Sequence, residues 1–126
     1  MIQEQTSLRI VDNSGAKTAK CIKVLRNKSI AQVGDLIVVS VTAIRKINQR
    51  NLKIKKGSVF LAIVVGVRRQ QQRRHLNGII LTEDNSICLL NKQKKLLASR
   101  INKPVSKEIK KKKLFKLATI SFAGFF

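Results

Sequence analysis

Apolar residues recur in short runs along the first ninety residues, and a turn signal closes each run. Thr6, Leu8 and Ile10 alternate with polar neighbours as in a half-buried strand, and the turn sequence Asp-Asn-Ser-Gly follows at residues 12–15. Further runs lie at residues 22–25, 36–41, 59–65 and 87–90. Short strands of this kind between turn signals are typical of a mainly β protein, and they predict a small closed β-barrel.

Two of these segments indicate more specific structure. Residues 59–65 form a continuous, β-branched-rich apolar run between Gly57 and Gly66, which predicts a strand buried on both faces. The dipeptide Asn77-Gly78 is a strong hairpin signal and predicts a β-ribbon with Arg73 and Arg74 near its tip.

The pattern changes after Asn91. Residues 104–108 predict the start of a short helix, with Ser106 as its cap. Mixed apolar residues from 114 to 126 predict one more strand at the end of the chain. We therefore expect a single domain over residues 1–126, with the barrel at about 1–92 and a short helical or extended tail at about 93–126.

The net charge of the chain indicates what kind of partner it binds. The chain carries 27 Lys and Arg against 6 Asp and Glu, a formal net charge of +21, whereas a small domain needs only about 2–8 charges for solubility. A polyanionic partner explains the excess, and nucleic acid is favoured over a membrane because the chain has no Trp or Tyr and no apolar run of about 18 residues. The few aromatic residues argue against base stacking and favour contacts with phosphates.

The best candidates for phosphate contact are Arg68 and Arg69 with Arg73 and Arg74, because these guanidiniums flank a turn without a neighbouring acidic residue. Lys17, Lys20 and Lys23 are open to two interpretations, RNA contact or the solvent face of a strand. The remaining candidates lie in loops and at strand ends, and they are Arg26, Arg45, Lys46, Arg50, Lys53, Lys55 and Lys56.

Catalysis and metal binding find little support in the sequence. His75 is the sole histidine and lies in a basic turn, and Glu83 and Asp84 would point to opposite faces of a strand. Cys21 and Cys88 are far apart without a zinc-ligand pattern, and we interpret both as small core residues. We expect a protein that is not an enzyme and has no cofactor or metal.

The first sixteen residues, Met-Ile-Gln-Glu-Gln-Thr through Asp-Asn-Ser-Gly-Ala, closely resemble the start of the bacterial-type L-fourteen family of large-subunit ribosomal proteins. Later blocks match the same family in order and spacing, at residues 21–25, 33–35, 55–57, 62–69, 85–91, 99–101 and 104–108. The resemblance implies a five-stranded barrel with a projecting β-ribbon and small C-terminal helices.

The resemblance also implies a function and partners. Family members bind large-subunit rRNA, help form intersubunit bridges with small-subunit rRNA, contact a neighbouring protein of the L-nineteen family and receive a ribosome silencing factor. Carried over by position, Ser99 and Arg100 with Lys103 and Lys107 would form the bridge and factor surface. Two other functions are compatible with a basic barrel. An autonomous oligonucleotide-binding protein would have aromatic residues on its surface, and an RNA-modifying enzyme would have an acid–base pair or a cofactor loop.

The sequence departs from the family pattern in places. Residues 45–54 are longer than the corresponding family segment and lack its Pro and Gly, Leu96 and Leu97 stand within a segment that usually reads Pro-Ile-Gly, and Lys103 replaces a Gly. The frequent Lys, Ile and Asn indicate an AT-biased genome. Together with the divergent tail and the absence of a recognisable presequence, this composition favours a mitochondrially encoded protein of the matrix ribosome. A plastid or bacterial cytoplasmic protein is the alternative.

Overall fold

Five strands close into a barrel in the computed structural model, which describes residues 2–27, 29–45, 54–72, 78–112 and 116–121. In chain order the strands of the described residues are β1 Ser7–Ile10, β2 Ala16–Val24, β3 Leu36–Ile44, β4 Val59–Gly66, β5 Gln71–Gln72, β6 Ile79–Ile80 and β7 Ser86–Leu90. The barrel order is β1-β2-β3-β4-β7, and β5 and β6 form a separate two-stranded ribbon. The predicted mainly β class and the five-stranded closed barrel are confirmed.

Neighbouring barrel strands are antiparallel except where β1 meets β7. That parallel pair places Ile10 opposite Ile87 and closes the cylinder. On the other side of β1, Leu8 lies opposite Ala19 of β2. Leu8 and Ile10 are both buried, which confirms the alternation read from the sequence.

The second half of β4 is buried on both faces, as the apolar run predicted, whereas its first residue is not. Residues 62–66 are buried, but Val59 is 60% exposed. The difference follows from the neighbours, since residues 61–66 pair with β7, whose five residues are all buried. Val59 lies beyond that pairing and is opposite Ser40 of β3, which pairs with the other edge of β4.

The ribbon pairs Gln71 with Ile80 and Gln72 with Ile79 in an antiparallel register. This pairing confirms two antiparallel strands on either side of the segment that carries the Asn-Gly signal. The connecting residues 73–77, which include Arg73, Arg74 and His75, lie outside the described residues, so the predictions for them stay predictions.

The C-terminal region contains a 3-10 helix at Lys107–Lys112 and an α-helix, α1, at Lys116–Ile120. Ser106 caps the first, because its Oγ accepts a hydrogen bond from the Glu108 N–H at 3.4 Å. The prediction of one more strand after residue 114 was wrong over the described residues. There α1 buries Leu117 in the core, and among residues 116–121 only Ser121 pairs as a single β-bridge, with Ile101.

Both cysteines are buried free thiols in the core, as predicted. Burial raises the pKa of Cys21 above its usual value, with a smaller contribution from the Glu4 carboxylate. Burial raises the pKa of Cys88 further, and the Asp12 carboxylate adds to the effect. Within the described ranges, none of the helices is long and apolar enough to cross a membrane.

Candidate nucleic-acid interface

The three lysines of β2 are all exposed although their spacing does not follow strict alternation. Irregularities in the pairing with β3 fall after Ala16, after Thr18 and after Cys21. Each such bulge adds a residue to one strand and changes which face the next side chain occupies. Lys17, Lys20 and Lys23 therefore all reach solvent, which leaves both RNA contact and a solvent face open for them.

A shallow depression of about 410 Å³ brings together cations that are distant in sequence. Arg9 from β1, Lys17 from β2 and Arg68 from the segment after β4 line it, together with Asp84 and Asn85. The sequence predicted Arg68 as a phosphate contact and left Lys17 open between RNA contact and a solvent face, but it missed Arg9. No local signal marked Arg9, because its neighbours become basic only when β1 pairs with β2 and β7.

Asn85 holds the main chain of both arginines in this depression. Its Oδ1 accepts a hydrogen bond from the Arg68 N–H at 2.9 Å, and its carbonyl oxygen accepts one from the Arg9 N–H at 2.9 Å. One asparagine between the ribbon and β7 thereby positions a cation of β1 and a cation of the segment after β4.

Asp84 introduces a negative charge into this otherwise basic depression. Its Oδ2 accepts a hydrogen bond from Lys103 Nζ at 2.9 Å and another from Arg9 Nη1 at 3.0 Å. The hydrogen bond from Lys103 lowers the pKa of Asp84 below its usual value, and the bond from Arg9 lowers it further. Lys103 therefore pairs with a carboxylate and is half-buried, a position that the sequence did not predict.

The remaining described cations lie on turns and at strand ends. Arg26 is exposed in a left-handed turn, with φ of 65°. Arg45 is exposed after β3, and its N–H donates to the Gly15 carbonyl at 2.9 Å. Three further predicted contacts, Lys55, Lys56 and Arg69, are also exposed. The predicted contacts Lys46, Arg50, Lys53, Arg73 and Arg74 lie outside the described residues.

The Asp-Asn-Ser-Gly turn organises a second exposed surface through a buried carboxylate. Asp12 is 0% exposed, and its Oδ2 accepts a hydrogen bond from the Leu89 N–H of β7 at 2.9 Å. Its Oδ1 accepts hydrogen bonds from the Ser14 N–H at 3.0 Å and from the Ser14 hydroxyl. Both carboxylate oxygens are satisfied, which compensates for burying the charge.

Asn13, the next residue, holds the segment predicted as the bridge and factor surface. Its Oδ1 accepts hydrogen bonds from the N–H groups of Ser99 and Arg100, both at 3.1 Å, and its Nδ2 donates to Ser99 Oγ at 2.9 Å. Ser99 and Arg100 are exposed, as is Lys107 at the start of the 3-10 helix. The sequence marked Asn13 only as a turn residue and did not predict this role.

The described residues contain no group of three or more His, Cys, Asp or Glu side chains that could hold a metal ion. Two of the acidic side chains are committed to other contacts: Asp12 is buried and hydrogen-bonded, and Asp84 is paired with cations. Neither is arranged with the other as an acid–base pair.

Comparisons with known proteins agree with the resemblance drawn from the sequence blocks. The family model described as "Ribosomal protein L14p/L23e" matches residues 1–123. The protein "Large ribosomal subunit protein uL14" of Carsonella ruddii (strain PV) is 40% identical over 124 residues, which cover 96% of this chain and 97% of that protein. The predicted family, and with it the expectation of a structural rather than an enzymatic protein, is confirmed. This chain therefore belongs to the L-fourteen family of structural ribosomal proteins of the large subunit.

Proposed function

We propose that this protein binds large-subunit rRNA through Lys and Arg contacts with phosphates and contributes to intersubunit bridges. The observation that carries the proposal is the depression in which Arg9 of β1, Lys17 of β2 and Arg68 of the segment after β4 converge. A chain with a net charge of +21 needs a polyanion to offset its self-repulsion. Folded RNA supplies phosphates in fixed positions, and each contact releases condensed counterions.

Shape and backbone recognition fits this surface better than base stacking. Among the described residues the aromatic side chain is Phe60, which is half-buried and packs against the core. A barrel that binds single-stranded oligonucleotides on its own needs exposed aromatic rings on its sheet. The described surface of the barrel therefore supports the ribosomal role over this alternative.

The bridge function rests on the exposed segment that Asn13 holds. Ser99 and Arg100 have their backbone fixed by the turn at the end of β1, and a fixed backbone lowers the entropic cost of presenting Arg100 to an RNA phosphate. We propose small-subunit rRNA as the partner of this surface. A neighbour of the L-nineteen family and a ribosome silencing factor are further proposed partners, which the family resemblance supports.

The ribosome that contains this protein is proposed to be organellar or bacterial. The matched relative is bacterial, and a bacterial-type protein fits either setting. The mitochondrial matrix ribosome, expected from the Lys-, Ile- and Asn-rich composition, stays a prediction.

Sedimentation tests the proposal directly. The protein should travel with large subunits through a salt wash that removes loosely bound RNA-binding proteins, and recovery of the protein free or on messenger RNA would contradict it. The logarithm of the rRNA-binding constant should fall linearly with the logarithm of the salt concentration. Arg68→Gln should reduce the slope of that line by about one. Lys92→Gln, which removes an exposed lysine outside the depression, is the matched control and should bind as the wild type does.

A further inference from the structure

The carboxylate of Asp84 is unexpected in a depression that otherwise collects cations for phosphates. An ionised carboxylate repels a phosphate, so a site for phosphates alone gains nothing from it. The two hydrogen bonds that Asp84 accepts from side chains both end on the same oxygen, Oδ2. Among the described residues, the other oxygen, Oδ1, has no hydrogen-bond partner, and the side chain is 36% exposed.

The position of Asp84 is firmly set. Arg9 and Lys103 approach it from chain segments 75 and 19 residues away. Thr82 Oγ1 donates a hydrogen bond to the Val67 carbonyl oxygen at 2.7 Å and lies 3.3 Å from the Asp84 carbonyl oxygen, so it ties the loop that carries Asp84 to the segment after β4. Arg9 donates to Asp84 through Nη1, and within the described residues its other guanidinium N–H groups have no acceptor. Those N–H groups are therefore available to a ligand. The depression thus offers a strong acceptor beside the donors of Arg9, Lys17 and Arg68.

We propose that this depression is a subsite for the RNA sugar–phosphate backbone, in which Lys17 and Arg68 contact phosphate oxygens and Asp84 accepts a hydrogen bond from a ribose 2′-hydroxyl. The 2′-hydroxyl is the donor that repeats between phosphates along RNA and is missing from DNA. A carboxylate beside cations matches that alternation, because it offers one acceptor for the hydroxyl between donors for the phosphates. The inference rests on the proposed rRNA binding and adds to it a discrimination between RNA and DNA.

Interference mapping tests this subsite on the full-length protein. Large-subunit rRNA from the same genome is transcribed with randomly placed 2′-deoxynucleotides, and the positions that weaken binding are mapped. The wild type should show a site where a 2′-deoxynucleotide weakens binding by about tenfold, as expected for a hydrogen bond to a charged group. Asp84→Ala should abolish the interference at that site, whereas Asp84→Asn should retain part of it, because the amide oxygen still accepts a hydrogen bond.

Two controls separate this contact from charge and from folding. Glu83→Gln changes the net charge as Asp84→Asn does, at the adjacent exposed residue, and should keep the full interference. Methylphosphonate substitution next to the same nucleotide should interfere with the wild type, and Lys17→Gln or Arg68→Gln should remove that interference. Circular dichroism of each variant checks that the barrel is retained.

The outcomes distinguish the two proposals. Wild-type protein that fails to bind rRNA would overturn the proposed function. Wild-type protein that binds rRNA with no 2′-deoxy-sensitive site, or Asp84→Ala protein that keeps the same sensitive site, would overturn the subsite alone.

Discussion

Asn13 Oδ1 accepts a hydrogen bond from the backbone N–H of Arg100 at 3.1 Å, across 87 residues of sequence. The Asn13 N–H in turn donates to the Arg100 carbonyl oxygen at 3.2 Å. This reciprocal pairing joins the turn after β1 to the exposed segment proposed to meet the small subunit. The turn therefore positions a candidate functional surface as well as ending a strand.

Replacing Asn13 by Ala should loosen the segment at Ser99 and Arg100 while the barrel remains folded. The change removes three side-chain hydrogen bonds at a partly solvated position, so the free energy of unfolding should fall by about 1–2 kcal/mol. Amide hydrogen exchange at Ser99 and Arg100 should accelerate, and subunit joining should weaken. Asn102→Ala, at an exposed position, is the control, and equal exchange rates in the two variants would contradict the role of Asn13.

Replacing Asp12 by Asn should destabilise the protein strongly although the two side chains have nearly the same shape. Both carboxylate oxygens accept hydrogen bonds, one from the Leu89 N–H and the other from Ser14. An amide offers only one oxygen and would place its NH₂ group against a buried donor. The free energy of unfolding in urea should fall by about 2–4 kcal/mol.

Glu83→Gln provides the comparison for Asp12, because Glu83 is exposed and should tolerate the same chemical change within about 0.5 kcal/mol. Similar losses in both variants would show that net charge, rather than the buried hydrogen bonds, sets the effect.

Gly66 at the end of β4 should not tolerate a side chain. A Cβ atom at this position would lie 2.6 Å from Ser86 Oγ and 3.0 Å from Thr82 Oγ1, so Gly66→Ala should reduce the free energy of unfolding by about 1–3 kcal/mol. Adding Ser86→Ala removes the closest atom. The double variant should therefore lose less free energy of unfolding than the sum of the losses in the two single variants.

Gly57 is the matched control for Gly66, because a Cβ there meets no atom within 4 Å and only its φ of +86° disfavours a side chain. Gly57→Ala should cost about 1–2 kcal/mol from the backbone alone, and Ser86→Ala should not change that cost. A benefit of Ser86→Ala to both glycine variants would contradict the steric explanation.

The ion pairs of Asp84 with Lys103 and Arg9 should lower the pKa measured for its carboxyl group. Its pKa in the folded protein is below the usual value of 3.8, and the Lys103 hydrogen bond is the largest cause. Because the folded value is the lower one, the stabilisation is complete above the unfolded pKa and is lost as the pH falls through the folded value. Lys103→Met should raise the pKa measured by carbon NMR more than Arg9→Met does, and an unchanged pKa in Lys103→Met would contradict the pairing.

Neither thiol should react in the folded protein at pH 8. Burial raises the pKa of both Cys21 and Cys88, so the reactive thiolate is suppressed and also inaccessible. A thiol reagent should label both cysteines in urea and neither in native buffer. Rapid native labelling of Cys88 would contradict its place in the core.

Local pattern predicted a large part of the barrel. The alternation at Leu8 and Ile10 and the apolar run in β4 appeared as strands where the sequence indicated them, and a pair of strands flanks the segment with the Asn-Gly signal. These signals work because a strand side chain points to one face or the other with a period of two. The exposure of Lys17, Lys20 and Lys23 did not follow from that period, since it depends on bulges in the pairing with β3.

In the C-terminal region the local sequence pattern did not predict the secondary structure. Residues after 114 are apolar without a clear period, and they predicted a strand, yet Lys116–Ile120 is a helix. Leu117 is buried and the Ile120 carbonyl accepts the Ile101 N–H at 2.9 Å. The surface against which a short segment packs decided its conformation.

The order of the amino acids alone specified the mainly β class, the approximate places of most barrel strands, the basic character and the family, because strand periodicity, turn chemistry, charge and sequence blocks are all local or additive properties. Tertiary structure decided the sites. Asn13 meets Arg100, and Arg9 meets Asp84, only after the parallel pairing of β1 with β7 closes the barrel. Contacts between residues more than seventy positions apart depend on strand order and register, which no local pattern encodes.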